Sequence, residues 1–304
     1  KFTPSPCPAP ATSLVRHPMR GGTRAGLVLL PFLCRPPRAP ISLCAVPTQP
    51  APPQLLVPSS QPLLDLPPLQ TERQGHQGGR SVKQHKVRQH VNPLRTSHQT
   101  LLDLDDGWTA SAFADPTRHL HVDIGCARGL WCLDLAQRRP DWNVLGLEIR
   151  QVLADAAQED ASALQLRNLR FFPCNANVNL DTILAKAEAA GTILNSASLQ
   201  FPDPWFKAKH HKRRTLQPPL IRTLASRLAP GGWVLFQTDV LDLAVEMRQW
   251  TREHAGGILV DQVPDESDWG VTKPAELLGL TTERERACFE LSRPIYRCLF
   301  RKPE

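Results

Sequence analysis

Short apolar runs alternate with amphipathic segments from residue 119 onward, and this alternation restricts the fold class. Strand-like and helix-like segments follow one another in the order 119–124, 130–139, 143–147, 152–166, 168–173, 180–190, 193–201, 216–228, 233–238 and 241–254. Two more strand-like runs, 257–263 and 295–300, flank a long loop at 264–280. Strands that alternate with helices predict βαβ units and a mostly parallel sheet. Ligands of such sheets bind at the carboxyl ends of the strands.

Residues 1–80 differ from the rest of the chain because they hold 17 of its 30 prolines and show no sustained periodicity. Such a segment buries too little apolar surface to offset its ordering entropy, so we expect it to be disordered. It is basic and contains no acid before Asp65, as in an organellar transit peptide. A low-complexity extension is the alternative. Most of the net charge of +7 comes from this leader, so that charge alone does not indicate nucleic-acid binding.

Residues 81–118 are predicted to connect the leader to a domain at 119–304, and they begin with a basic arm. A basic arm ahead of a domain commonly contacts phosphate, although a soluble linker can have the same composition. The basic and imidazole side chains of this arm are Lys83, His85, Lys86, Arg88 and His90.

Cysteine spacing and hydropathy argue against several classes of protein. The eight cysteines contain no Cys-x-x-Cys pair and no zinc-site spacing, so we expect neither a metal nor a disulfide framework. The longest apolar run of the leader, 26–33, is far too short to span a membrane.

The first strand leads into a glycine-rich turn, Asp123-Ile124-Gly125-Cys126-Ala127-Arg128-Gly129, and then into a helix. This order is typical of nucleotide-binding βαβ units, and Glu148 at the end of the next strand can accept hydrogen bonds from ribose hydroxyls. The Gly-x-Ala-x-Gly spacing lacks the pyrophosphate pattern, and Asp123 would repel a diphosphate but can bind a cationic amino group. The pattern therefore favours S-adenosylmethionine. Alternatively, Asp123 fixes the loop through its amides.

A second loop, Phe201-Pro202-Asp203-Pro204-Trp205, follows the strand-like run 193–201. Each proline restricts its own backbone and that of the residue before it, so Asp203 is presented rigidly at the ligand edge. A capping aspartate beside a packing tryptophan is the alternative. Five Lys/Arg and two His residues then lie between Lys207 and Arg214, and such a cluster suits a polyanion.

Further polar side chains lie at predicted strand ends or helix starts. Asn175 follows the third strand, where its amide can contact an adenine edge or make a turn. Asp239 ends the fifth strand and can contact a ligand or cap the next helix. Thr282 and Glu285 have the spacing of a capping box, although Glu285 can also point toward a substrate pocket.

Together these motifs resemble the tRNA (guanine-N7)-methyltransferase family in its single-chain bacterial and organellar form. The similarity runs from about Arg88 to Arg301. The most specific string begins at Phe201 and ends at Arg214, whereas the glycine-rich loop alone indicates only a class I methyltransferase. The loop at 123–129 and the string Arg88-Gln89-His90-Val91-Asn92-Pro93-Leu94 are most similar to cyanobacterial and plastid members.

The resemblance implies a Rossmann-like class I S-adenosylmethionine-dependent methyltransferase fold, with a seven-stranded, mostly parallel sheet and helices on both faces. It implies methylation of guanine N7 in tRNA, expected at position 46 of the variable loop, in a chloroplast rather than a mitochondrion or the cytoplasm. Neither a metal nor an obligate second subunit is expected.

The resemblance also implies residue roles. Asp203 is the implied catalytic residue. The cofactor would be held by Asp123, Gly125, Gly129, Glu148, Asn175 and Asp203, the substrate by Lys207, Asp239, Thr282 and Glu285, and RNA phosphates by Lys209, Lys212, Arg213 and Arg214. Two positions depart from many relatives, which have Glu where this chain has Asp123 and Asp where it has Asn175.

Two other functions remain open from the sequence. One is an RNA-binding module or partner subunit with an inactive methyl-donor pocket. The other is a methyltransferase that acts on a protein or a small molecule, against which the basic cluster beside Asp203 argues.

Overall fold

The computed structural model describes residues 90–304. The predicted leader at 1–80 and the arm up to residue 89 lie outside the described residues.

Seven strands form one sheet in the order β3-β2-β1-β4-β5-β7-β6. The strands are β1 His119–Ile124, β2 Trp142–Glu148, β3 Leu169–Pro173, β4 Leu194–Gln200, β5 Leu228–Thr238, β6 Val260–Asp261 and β7 Tyr296–Arg301. Strands β1 to β5 pair in parallel, whereas β7 runs antiparallel to both β5 and β6. The predicted seven-stranded, mostly parallel sheet is confirmed. The strand order reverses between β1 and β4, so their carboxyl ends lie at a switch point where ligands commonly bind.

Seven α-helices accompany the sheet within the described residues. They are α1 Trp108–Ala112, α2 Leu130–Arg138, α3 Gln151–Ala163, α4 Ala176–Ala189, α5 Pro218–Arg227, α6 Leu241–His254 and α7 Glu283–Glu290. One hydrophobic core receives side chains from α4 and α5, and the other receives them from α2 and α3. The two cores correspond to the two faces of the sheet, as the βαβ alternation predicted.

Three boundaries differ from the sequence prediction. Helix α4 begins at Ala176 rather than at residue 180, because the side chain of Asn175 caps it. Strand β5 begins at Leu228, so the predicted turn at 230–232 lies within the strand as a register shift against β4. Strand β6 is only two residues long, because only Val260 and Asp261 pair with β7.

Among residues 90–304, no helix is long and apolar enough to span a bilayer. The five cysteines of this part are free and buried. The same residues contain no cluster of three or more His, Cys, Asp or Glu side chains suited to a metal.

Candidate active site at the carboxyl ends of the strands

A cleft of about 780 Å³, open solvent included, lies at the carboxyl ends of β1 to β4. The loops that follow these four strands form its walls, together with Val91 and Pro93 from the N-terminal segment. Among the predicted cofactor residues, Gly125, Glu148, Asn175 and Asp203 line this cleft. The fold thus brings together residues that are up to 78 positions apart in the sequence, and the first and last of them follow β1 and β4, the strands beside the switch point.

Glu148 is the most firmly held carboxylate of the cleft wall. Its Oε2 accepts from the amide of Ala127 in the glycine-rich loop at 3.0 Å, and its Oε1 accepts from the amide of Arg150 at 2.9 Å. The guanidinium of Arg150 also donates to both oxygens, at 2.8 and 3.0 Å, and this bond raises the pKa of Arg150. Glu148 therefore fixes the loop at the cleft wall, and both of its oxygens are engaged by these protein donors.

Asp123 lies beneath the glycine-rich loop, outside the cleft lining. Its Oδ1 accepts from Ser198 Oγ at 2.6 Å and from Gln200 Nε2 at 3.2 Å, and Cys132 Sγ lies 3.4 Å from Oδ2. Burial raises the pKa of Asp123, whereas these hydrogen bonds oppose the rise. The structure thus places Asp123 as a support between β1, β4 and α2, and its partners are side chains rather than the loop amides considered from the sequence.

Gly129 also lies outside the cleft, at the start of α2. Its φ of 70° is left-handed, and a Cβ at this position would lie 2.6 Å from the ring of Phe171 and 2.9 Å from the Cβ of Ala157. The absence of a side chain at Gly129 therefore allows close packing of the loop on β3 and α3. Gly125, by contrast, borders the cleft itself.

The loop that carries Asp203 is strained on both sides. Phe201 and Trp205 have φ values of 49° and 42°, a region that L-residues rarely adopt. Such outliers persist only where the surroundings hold them, and they concentrate at functional sites. Here the amide of Phe201 donates to Gln237 O at 2.7 Å, and Arg214 Nε donates to Pro204 O at 2.7 Å. Asp203 is thus held at the cleft wall by bonds on either side of it.

The basic cluster predicted to contact RNA divides into three groups. Lys207, Lys209 and Lys212 are exposed. The guanidinium of Arg213 lies 5.2 Å above the ring of Trp205 and lines the cleft. Arg214 is buried and pairs with Glu246, besides its bond to Pro204. The structure therefore places Arg214 as a brace of the Asp203 loop, where burial keeps it from phosphate.

The predicted substrate residues other than Lys207 belong to a region beside β5 and α7. Asp239 pairs with Arg284 of α7, so its partner is another helix rather than the start of α6. Thr282 and Glu285 form the capping box of α7, as their spacing predicted. Glu285 is only 1% exposed, and Lys273 and Arg297 donate to it at 3.1 and 2.9 Å.

Burial would raise the pKa of Glu285, but Lys273, the Thr282 amide and Arg297 outweigh it and lower that pKa. Glu285 therefore remains a charged support of α7. Its oxygens are already engaged by protein donors.

A continuous chain of hydrogen bonds connects Asp123 to Glu285 across the sheet. Gln200 Nε2 donates to Asp123, and Gln237 Nε2 donates to Gln200 Oε1 at 2.9 Å. Arg297 Nε then donates to Gln237 Oε1 at 3.1 Å, and Arg297 Nη2 donates to Glu285. The chain fixes the orientation of each amide, because every donor meets an acceptor. The loop after β1 and the start of α7 are thus supported by one polar network.

Sequence comparison identifies the family to which this arrangement belongs. A family model described as "Putative methyltransferase" matches residues 117–298. The tRNA (guanine-N(7)-)-methyltransferase of Synechocystis sp. is 44% identical over 217 residues, which cover 71% of this chain and 97% of that relative. The enzyme of the same name from Thermosynechococcus vestitus is 42% identical over 219 residues, covering 71% and 95%.

The chain belongs to the tRNA (guanine-N7)-methyltransferase family. A methyltransferase of this family takes its methyl group from S-adenosylmethionine, which supplies a methyl group on a cationic sulfur when bound.

The cleft of this methyltransferase fits that cofactor in three respects. Two buried polar atoms of the cleft lining have no hydrogen-bond partner within the described part of the chain, namely Asn177 Oδ1 and Arg213 Nε. One acceptor and one donor are therefore available for a ligand. A Cβ built on Gly125 would meet no described atom within 4 Å, so this glycine borders free space. Glu148 lines the cleft at the end of β2, the strand position beside which a ribose is commonly held.

Several cleft residues were not singled out from the sequence as ligand contacts. They are Arg150, Asn177 and Gln200, together with Val91 and Pro93. Val91 and Pro93 belong to the string 88–94, and the resemblance of that string to relatives was the available signal. The basic residues of the string indicated a phosphate contact instead. The position of Asn177, two residues after Asn175, was the signal for the second asparagine.

Proposed function

We propose that this protein transfers a methyl group from S-adenosylmethionine to N7 of a guanine in tRNA, at position 46 of the variable loop. The observation that carries the proposal is the position of Asp203. Its carboxylate lines the cofactor cleft on a loop strained at both flanks, and exposed lysines begin four residues later. The two relatives named for this reaction are 44% and 42% identical to this chain over 97% and 95% of their own length.

The chemistry requires alignment more than proton removal. Guanine N7 carries an in-plane lone pair and no proton, so attack on the methyl carbon needs no general base. Positioning for an in-line transfer can contribute roughly 7–11 kcal/mol to lowering the barrier. In this proposal the rigid loop of Asp203 positions the guanine, while Gly125, Glu148 and Asn177 hold the cofactor.

The carboxylate of Asp203 has a second task, because methylation places positive charge on the purine. A carboxylate beside the N1/N2 edge of guanine accepts hydrogen bonds from that edge and stabilises the developing cation. Asp203 is therefore proposed as an orienting and electrostatic residue.

The exposed lysines 207, 209 and 212 are proposed to hold tRNA phosphates, and Arg213 to act at the cleft. Asp239 and the start of α7 are proposed to support the substrate side through the pairs Arg284–Asp239 and Arg128–Glu283, the latter at 2.5 Å. The second pair joins the glycine-rich loop to α7, so the two sides of the site are in direct contact.

The test is incubation of the protein with labelled S-adenosylmethionine and unmodified tRNA transcripts, followed by digestion to nucleosides. Label in N7-methylguanosine supports the proposal, and its loss with a transcript that carries adenine at position 46 assigns the position. Label in protein or a small molecule would indicate another acceptor. No label, with cofactor still bound in calorimetry, would indicate an inactive pocket.

We further propose that the protein acts as a single chain in the chloroplast. The cyanobacterial source of the relatives and the basic leader, which contains no acid before Asp65, support this compartment. Fluorescence from a tagged full-length chain that overlaps chlorophyll autofluorescence would support it, and a purely mitochondrial or cytoplasmic signal would reject it. Activity of the purified single chain tests the absence of an obligate subunit.

A further inference from the structure

The side chain of His90 contacts the residue on which the proposed reaction depends. His90 Nδ1 lies 2.8 Å from Asp203 Oδ1, although the two residues are 113 positions apart. An ionised carboxylate only accepts hydrogen bonds, so Nδ1 is the donor in this pair. The imidazole also lies beside Trp205, with 6.2 Å between ring centroids.

The segment 90–102, which we name the strap, is fastened to α4 by two asparagines. Asn175 Nδ2 donates to Pro93 O at 3.2 Å. Asn179 Oδ1 accepts from the amide of Leu102 at 2.7 Å, and its Nδ2 donates to Thr100 O at 3.1 Å. Val91 and Pro93 of the strap line the cofactor cleft. His90 is therefore held beside Asp203 by a segment that is hydrogen-bonded to the main domain near both of its ends.

Apart from the bond from His90, the described hydrogen bonds of the Asp203 loop act on its backbone, and Arg150 attracts the Asp203 carboxylate electrostatically. The two prolines restrict φ, and Arg214 holds the carbonyl of Pro204. None of these fixes the side-chain torsions of Asp203, whose side chain is 35% exposed. A hydrogen bond from His90 to one carboxylate oxygen restrains those torsions directly, and a carboxylate retains further lone pairs for a base.

We propose that His90 is a positioning residue for methyl transfer, which holds the Asp203 carboxylate in the orientation that receives guanine. The inference rests on the proposed function and assigns a task to the strap beyond phosphate contact. The positioning requires the Nδ1–H group of the imidazole as a hydrogen-bond donor. It does not require the positive charge of the arm.

The test compares three substitutions at His90. The amide nitrogen of asparagine occupies the position of Nδ1, whereas that of glutamine occupies the position of Nε2. At saturating cofactor and tRNA, we expect kcat to fall by about ten-fold or more in His90→Ala and His90→Gln, because a charge-assisted hydrogen bond is lost. His90→Asn should retain kcat within about three-fold of the wild type.

Two further measurements separate positioning from a structural effect. His98→Ala is the matched control, because His98 lies on the same strap and its side chain makes no hydrogen bond within the described residues; it should keep the wild-type kcat. In an Asp203→Ala background, His90→Ala should cause no additional loss, because the two residues act as a unit. The apparent KM for the cofactor should change less than kcat in every His90 variant.

The outcomes are distinct. A wild-type protein that does not methylate guanine N7 in tRNA rejects the proposed function. With an active wild type, unchanged or increased kcat in His90→Ala rejects the positioning role alone. So does an asparagine variant as impaired as the glutamine one, or an additive loss in the Asp203→Ala background.

Discussion

Two glycines of the glycine-rich loop and one on β2 allow two costs of adding a methyl group to be measured separately, backbone strain and steric overlap. An alanine at Gly125 would be strained, with φ of 77°, but its Cβ would meet no described atom within 4 Å. At Gly146 the backbone is ordinary, but the Cβ would lie 2.5 Å from Phe171 Cε1 and 2.9 Å from Cys126 Sγ. Gly129 combines both costs, since it has a positive φ and its Cβ would overlap the same ring.

The magnitudes follow from this geometry. A left-handed backbone costs an alanine about 1 kcal/mol relative to glycine. Overpacking a well-packed core by one methyl group costs about 1–3 kcal/mol. We therefore expect losses in the free energy of unfolding of about 1 kcal/mol for Gly125→Ala, about 2 for Gly146→Ala and about 3 for Gly129→Ala. In a domain of this size each kcal/mol lowers Tm by about 2–4 °C.

The assay is urea denaturation of the three variants, repeated in a Phe171→Leu background. The smaller side chain should recover part of the loss in Gly129→Ala and Gly146→Ala, because it relieves the overlap, and none of the loss in Gly125→Ala. Cofactor affinity, measured by titration, should fall most in Gly125→Ala and least in Gly129→Ala, the reverse of the order for stability, since Gly125 borders the cleft. An unchanged stability of Gly146→Ala, or a recovery of Gly125→Ala by Phe171→Leu, would refute the packing argument.

The remaining predictions concern acid stability and RNA affinity. Burial lowers the pKa of His121 to about 3 and of His119 to about 4, the latter with a smaller contribution from Arg139. The unfolded chain takes up these protons near pH 6.5, so the stabilisation is complete above that pH and falls toward about pH 4 by up to ~1.4 kcal/mol per pH unit for each histidine. A flat urea midpoint down to about pH 5 would contradict this. Lys209→Ala and Lys212→Ala should each lower the slope of log affinity for tRNA against log salt by about 1, whereas Arg214→Ala should instead destabilise the fold by about 3 kcal/mol. Filter binding at several salt concentrations and thermal melts distinguish the two effects, and a reduced salt slope without destabilisation in the arginine variant would contradict the brace.

The sheet could be predicted from the sequence because its strands are buried on both faces and alternate with amphipathic helices. The seven strands and the cleft at their carboxyl ends followed from that pattern. The length of β6 could not be predicted, since the strand-like run extends from residue 257 to 263 while only Val260 and Asp261 pair with β7.

The placement of the candidate site residues could be predicted in part. The position of Glu148 and Asp203 at strand ends is a local property, and both residues line the cleft. The direction of a buried side chain is not local: Asp123 turns toward Ser198, a residue 75 positions away. Likewise, Arg214 resembles its basic neighbours in sequence, and only the folded position of Glu246 makes it an internal brace.

The contact made by the strap could not be predicted from the sequence either. His90 belongs to a basic string, which indicates phosphate contact, yet its partner in the fold is a carboxylate. No periodicity connects residues that are this distant in sequence.

The most direct measurement is methyl transfer to unmodified tRNA by Asp203→Ala with cofactor binding followed in parallel by calorimetry. We predict a fall in transfer of at least about 100-fold, since an orienting and electrostatic group is lost, with the cofactor Kd changed by less than about ten-fold. Transfer at the wild-type rate by this variant would contradict the central role of Asp203.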